Sequence, residues 1–377
     1  MLRTTLVSIV LLLAVSSTLV AGEVATAESA TGNTFALVGA HIRGHGVATL
    51  IVKDGRIAEI TAEEPSESLR VVDVTDRFIG PAFIDSHVHL AYAFSALELA
   101  RGGIAAAVDL AAPVSFLTTD FAPLRVVLAG PMVTAITGYP TKSWGSDGYG
   151  LEIRGVAAAT AAVDQLYAAG ARVIKMPIGD ATGEGALTMA KNPSILSDAE
   201  LKAVADHAHS LGMQVAAHAI TDIAAQRAAA AGVDVLAHTP TERLSDATIA
   251  AWAERAVIST LAAFPKLSEP AENIRRLREA GATVLYGTDM GYTTFPGINP
   301  LELQLLANAG LDNAEIIAAG TTAPAKFWGF GPDYGVLAVG RSANFLVLDG
   351  NPEHNRSTLA RPLAVYLDGR RIEAAVP

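Results

Sequence analysis

Cysteine is absent from all 377 residues. Disulfides, thiolate zinc sites and cysteine nucleophiles are therefore excluded, and any bound metal must be held by nitrogen and oxygen. A basic face is missing too. With 27 Lys and Arg against 38 Asp and Glu, the formal charge is −11, which lacks the electrostatic footprint of a nucleic-acid binder. The acidic balance favours solubility but identifies no substrate. The serine-hydrolase elbow G-x-S-x-G does not occur, and no segment beyond the N-terminus looks like a membrane span.

What is present begins with an almost unbroken apolar run from Leu6 to Val20, preceded by Arg3 and followed by small residues. Ala25-Thr26-Ala27 fits an A-x-A cleavage signal, so residues 1–27 read as a cleaved signal peptide. That predicts a secreted or periplasmic protein with no membrane attachment after cleavage. The alternative is an uncleaved anchor, although the run is short for a span of about 20 residues. Without cysteine a lipoprotein anchor is excluded.

Hydrophobic residues make up 51% of the chain, enough for a sizeable core. From Thr34 the pattern is all-β: 35–38, 49–52 and 71–74 read as strands, with Asp54-Gly55 as a two-residue hairpin signal. After Pro81 the rhythm becomes strand, loop, helix. Candidate strands are 83–87, 105–110, 125–129, 172–176, 214–218, 233–237, 256–260 and 283–286. Ala-rich amphipathic stretches at 157–169, 198–211, 222–231 and 269–280 read as helices, each followed by a glycine where a helix C′ residue belongs. Ser197 and Glu200 form a capping-box signal. Eight strands alternating with helices predict an α/β fold, a (β/α)8 barrel over 81–330. Strands return at 344–348 and 363–366, with Asp368-Gly369 as another hairpin turn. Segments 34–80 and 331–377 together are expected to build one small β-sandwich domain.

The chemistry concentrates at predicted strand ends. Ile84-Asp85-Ser86-His87-Val88-His89 ends the first barrel strand. Residues two apart on a strand point to one side, so His87 and His89 can face one metal. His207 and His209 are also H-x-H, but in a helical stretch, where residues two apart do not share a face. That pair is predicted to lie on the helix surface or in packing. Lys175, His218, His238 and Asp289 likewise fall at or just after strand ends. Singly, each has a plainer reading: a packed histidine, a salt-bridging lysine, a helix-capping aspartate. An insertion at 179–193 is placed to form a wall or lid for a pocket. His41, His45 and His354 lie outside the pattern.

The ordered set H-x-H, Lys, His, His, Asp resembles the amidohydrolase superfamily. Gly80-Pro81-Ala82-Phe83-Ile84-Asp85-Ser86-His87-Val88-His89-Leu90 is similar to its strand-one signature, and Gly287-Thr288-Asp289 to its strand-eight motif. The segment from Gly340 to Asp349 resembles its C-terminal stretch, with Asn344 in place of the usual Asp. The nearest branch is the prolidase-like and imidazolonepropionase-like one with a strand-four lysine. The resemblance implies two divalent ions: His87, His89 and Asp289 around the more buried one, His218 and His238 around the other. Lys175 would bridge them as a carbamate, since an ammonium has no lone pair to offer a cation. Zinc suits such ligands, as do manganese, iron or cobalt. A metal-bridging hydroxide would attack a carbonyl, with Asp289 taking its proton and His238 beside it as the second catalytic residue.

Tyr139 and Tyr292 are candidates to donate to the carbonyl oxygen, and Arg154 or Arg243 to hold a substrate carboxylate. The expected substrate is a small molecule with an amide or other C–N bond: an N-acyl amino acid, a dipeptide or a cyclic amide. A lactonase or esterase would use the same machinery. A catalytically silent scaffold would be marked by missing ligands, and all six are present. Homo-oligomerisation is compatible with the chain.

Overall fold

The computed structural model describes residues 34–92, 95–179 and 194–372. The leader with its cleavage signal, and nearly all of the insertion at 179–193, lie outside the described residues.

The first strands are β1 (Phe35–Ile42), β2 (Gly46–Lys53), β3 (Arg56–Thr61), β4 (Arg70–Asp73) and β5 (Phe78–Pro81). They join β16 (Phe345–Leu348), β17 (Ala364–Leu367) and β18 (Arg370–Ile372) in one hydrogen-bonded sheet, ordered β18-β17-β16-β5-β1-β2-β3. β1 forks, pairing β4 through its first half and β5 through its end. So these strands form one network, not two separately hydrogen-bonded layers. Their alternating apolar residues, among them Phe35, Leu37, Leu50, Val52, Phe345 and Tyr366, form a core of their own. Both Asp-Gly pairs make the expected hairpins, with positive φ at Asp54, Gly55, Asp368 and Gly369. The two turns touch: a Cβ on Gly369 would come within 2.9 Å of the Gly55 Cα.

Between these ends, parallel strands alternate with helices. The strands are β6 (Phe83–Val88), β7 (Ile104–Asp109), β8 (Arg125–Leu128), β9 (Met132–Ala135), β10 (Gly150–Ile153), β11 (Val173–Pro177), β12 (Gln214–His218), β13 (Val235–Leu236), β14 (Ala256–Ile258) and β15 (Thr283–Leu285). One sheet runs β6-β7-β8, another β11-β12-β13-β14-β15, and β9 pairs β10. Backbone hydrogen bonds link the sheets: Arg172 N to Leu128 O (2.9 Å) and Ser86 N to Tyr286 O (2.9 Å). Val173, Ala216, Val235, Ala256 and Leu285 share one buried cluster, so the strands turn one face towards a common interior.

The helices are α1 (Ala96–Arg101), α2 (Val156–Ala169), α3 (Asp198–Ser210), α4 (Asp222–Ala231), α5 (Asp246–Ala251), α6 (Glu269–Glu279), α7 (Pro300–Asn308), α8 (Asn313–Gly320) and α9 (Thr322–Phe327). The Ser197–Glu200 capping box forms at α3, and Gly170 and Gly232 end α2 and α4 in left-handed conformation. On α4, Ala224, Ala225, Ala228 and Ala229 are buried at helical spacing. Their small side chains keep helix propensity high and let the helix lie close to its neighbours.

The structure departs from the sequence reading at particular ends. The sixth and eighth predicted strands are shorter, closing at Leu236 and Leu285. Single backbone bonds to the neighbouring strands continue beyond both ends, from Ala237 N to Ala217 O (2.8 Å) and from Thr260 N to Gly287 O (3.0 Å), as far as His238 and Asp289. The third predicted strand ends at Leu128, and past Gly130-Pro131, where proline has no N–H to give a ladder, an unpredicted strand follows as β9.

Candidate metal centre

Two periodicities bring the side chains together. Val173 and Ala216 point into the common interior, so Lys175 and His218, two residues further along β11 and β12, lie on the same face. On β6, Asp85 is buried and fastens two strand ends. Its Oδ1 accepts from the backbone N–H groups of His87 (3.1 Å) and Thr288 (3.1 Å), and its Oδ2 accepts from Thr288 Oγ1 (2.6 Å). Thus the carboxylate that precedes H-x-H ties it to the segment carrying Asp289.

Asp289 sits in the left-handed region, at φ 53°. Its neighbourhood tolerates little bulk. A Cβ on Gly287 would fall 2.3 Å from Ile258 Cγ2, and one on Gly291, whose φ is +123°, 2.8 Å from His89 Cβ. Glycine at both positions lets the turn close over the histidines.

The six predicted residues are all buried. His87 Nε2 lies 3.2 Å from His89 Nε2, and Asp289 Oδ1 lies 3.4 Å and 3.1 Å from the two. These three residues form a metal-capable cluster. His238 Nδ1 is 3.9 Å from Asp289 Oδ2 and 3.3 Å from Thr260 Oγ1. The His238 ring centre stands 4.6 Å from that of His87 and 4.8 Å from that of His218. Lys175 is wholly buried, close enough to His87, His238 and Asp289 to interact with their charges, and among the described residues its Nζ has no hydrogen-bond partner.

Electrostatics prepare these groups as ligands. Burial holds the His87 and His238 imidazoliums well below their ordinary pKa. With a proton on Nδ1, His87 donates to Ala237 O (2.7 Å), which leaves the Nε2 lone pair facing inward. Burial pushes the Asp289 carboxyl up, but His87, His89 and His238 outweigh it and hold the group well below the carboxylate range. Burial also brings Lys175 down to about 7. An ammonium buried without an acceptor is costly.

The pattern of the amidohydrolase family matches residues 78–372. The chain belongs to that family. It is 27% identical to an adenine deaminase of Deinococcus deserti over 317 residues, 80% of this chain but 53% of that protein. It therefore spans about half the length of that relative. An imidazolonepropionase of Symbiobacterium thermophilum is 25% identical, with 81% of this chain and 84% of that protein covered. Among solved structures, a Xaa-Pro dipeptidase with bound methionine superposes with a TM-score of 0.76 at 19% identity, covering 90% of this chain and 99% of the other. A prolidase-like protein of Bifidobacterium longum gives 0.73 at 23% identity, covering 90% and 94%. These structural likenesses carry the fold.

The other predicted residues divide. Tyr139 stacks near His218, ring centres 5.2 Å apart, and its hydroxyl accepts from Trp144 Nε1 at 2.7 Å. Tyr292 is exposed just past Asp289, within electrostatic reach of Tyr139. Arg154 and Arg243 do not join the cluster. Arg154 is exposed beside Glu200, and Arg243 is exposed with its Nη1 4.0 Å from Glu272. The helical pair also separates as expected: His207 Nε2 meets Asp164 at 2.7 Å, and His209 Nε2 meets Asp234 at 2.9 Å. Sequence reasoning did not single out Trp144, Thr260, Asp85 as a clamp, or Glu302, a buried carboxylate on α7. The Glu302 oxygens accept from Leu261 N (3.0 Å) and Ala262 N (2.6 Å), fixing the turn that presents Thr260 to His238. Asn344 accepts from Asp368 N at 2.8 Å in the sheet, so the departure from Asp is structural.

Proposed function

We propose that this chain is a metal-dependent hydrolase of small molecules that cleaves an amide or other C–N bond. The observation that carries the reading is the Nζ of Lys175, buried beside the histidines and an anionic Asp289 with no hydrogen-bond partner among the described residues. Such a group fits a site built for cations. Its carbamate would offer anionic oxygen where the free amine offers only donors. His87, His89 and Asp289 would hold one divalent ion and His218 and His238 a second, with Lys175 as a carbamate between them. Zinc, manganese, iron or cobalt all suit these donors. When bound, such ions supply a water acidified towards neutral pH and a Lewis acid for the carbonyl.

The chain's own groups do the rest. Asp289, ionised at neutral pH, is the base that accepts a proton from the attacking water and returns it to the leaving nitrogen. His238 Nδ1, held 3.3 Å from Thr260 Oγ1, stands 3.9 Å from Asp289 Oδ2, beside that carboxylate. Burial raises the Tyr139 hydroxyl to about 12, so it keeps its proton. Because its oxygen already accepts from Trp144, that proton is available to a carbonyl oxygen bearing developing charge.

Closure of the eight strands into a (β/α)8 barrel is supported by the two hydrogen bonds across the sheet gaps and the shared interior cluster. Export after cleavage near Ala27 belongs to the same reading. N-terminal sequencing of the mature protein checks it.

Asp289→Asn tests the assignment. The variant is expected to retain metal and lose at least about a hundredfold in kcat, the scale of general acid–base catalysis. A fully active Asp289→Asn enzyme would refute the role.

A further inference from the structure

The histidines are bordered by aromatic rings from three separate loops. Trp144 stands over His89, with ring centres 5.6 Å apart. Tyr139 lies 5.2 Å from His218, and Phe264 6.0 Å from His238. Behind Trp144 come Tyr149 at 5.3 Å and Tyr92 at 5.7 Å. Five of the chain's 22 Phe, Trp and Tyr residues thus meet at one mouth. Core packing alone does not explain this. Tyr149 is buried, but Trp144, Tyr139 and Phe264 are half-buried and Tyr92 is exposed.

The polar edge of Trp144 is already engaged. The only N–H of the Trp144 indole goes to Tyr139 Oη, so what remains for a ligand is its ring face. The two arginines predicted to meet a carboxylate face Glu200 and Glu272 instead. An aromatic surface with its donor used up favours a flat, apolar group, since rings pair by offset stacking and edge contacts.

Resting on the hydrolase reading, we infer that the substrate carries an aromatic ring next to the scissile bond, packed against Trp144 and Tyr139. Trp144 is then a specificity-determining residue. It also supplies its own reporter, because the other two tryptophans are buried, Trp252 bonded to Ala225 O and Trp328 to Ser86 Oγ.

Two matched pairs test this on metal-loaded protein: N-benzoylglycine against N-acetylglycine, and N-acetylphenylalanine against N-acetylalanine. Each pair exchanges phenyl for methyl, on the acyl side and the leaving-group side respectively. Affinity is read by Trp144 fluorescence in wild type and by calorimetric titration in wild type and both Trp144 variants, and kcat/KM is measured alongside. In at least one pair the phenyl member should bind about tenfold tighter. Trp144→Ala should bring that ratio near one, and Trp144→Phe should restore most of it. Equal binding within both pairs, or a ratio that survives in Trp144→Ala, overturns the inference. If Trp144→Ala does not fold, the wild-type ratios decide. Tight phenyl binding without cleavage would sink the hydrolase reading and leave the wall standing. Cleavage without discrimination would do the reverse.

Discussion

Glu302 offers a sharp test of how the site is held, because it touches none of the six cluster residues. Its side chain is fully buried at the start of α7, and both oxygens accept backbone N–H groups at the free end of the turn over Leu261–Ala263. Glu302→Ala leaves those two donors buried without partners. At about 1–3 kcal/mol for each unsatisfied group, the loss is roughly 2–6 kcal/mol. Glu302→Gln keeps one acceptor and turns an amide N–H2 towards the other donor, so its loss is roughly half as large. Burial raises the carboxyl from 4.5 to about 7, its hydrogen bonds from Ser259, Ala262 and Leu261 opposing the rise. A group raised on folding stabilises fully below its unfolded pKa and loses that contribution as pH climbs through the folded value. Glutamine does not titrate. The stability gap between wild type and Glu302→Gln should therefore narrow from pH 5 to pH 7 and stay level above. Urea denaturation of chelated protein at pH 5, 6, 7 and 8 measures it. A Glu302→Ala protein within 1 kcal/mol of wild type, or a gap that widens with pH, would refute the reasoning.

Three further outcomes follow from the same geometry. Asp85→Ala strands three donors and frees the two segments that carry His87 and Asp289, so it should cost roughly 3–9 kcal/mol and weaken metal retention. Asp85→Asn, which can keep Oδ1 in place, should be much milder. Lys175→Met removes a buried amine without a partner. It should melt higher than wild type when both are metal-free, yet bind less metal; differential scanning calorimetry with and without chelator reads both. His209→Ala should cost no more than about 1 kcal/mol and leave metal content unchanged, since its partner is Asp234 on the surface.

Much of this was legible along the chain, and the reasons are local. Alternation along β6, β11 and β12 placed His87, Lys175 and His218, and the helical period separated His207 from His209. Asp-Gly turns and the Ser197–Glu200 box have short-range physics and formed where the sequence put them. What escaped depends on distant partners. Asp85 reads as one more apolar-strand residue until Thr288 is packed against it. Glu302 looks like an ordinary first-turn acid until the 261–262 turn arrives. Arg154 and Arg243 had the right charge for a carboxylate, but only the fold could show them facing Glu200 and Glu272. Trp144 sits in a loop with no periodicity to place its ring over His89.

The central claim is that His87, His89, Lys175, His218, His238 and Asp289 form one binuclear metal centre. Elemental analysis of freshly purified protein tests it most directly. About two equivalents of divalent transition metal per chain are expected in wild type, falling to about one in His218→Ala, whose partner ion would still have His87, His89 and Asp289. Protein that is folded and carries no transition metal, even after incubation with zinc, manganese or cobalt and bicarbonate, would contradict it.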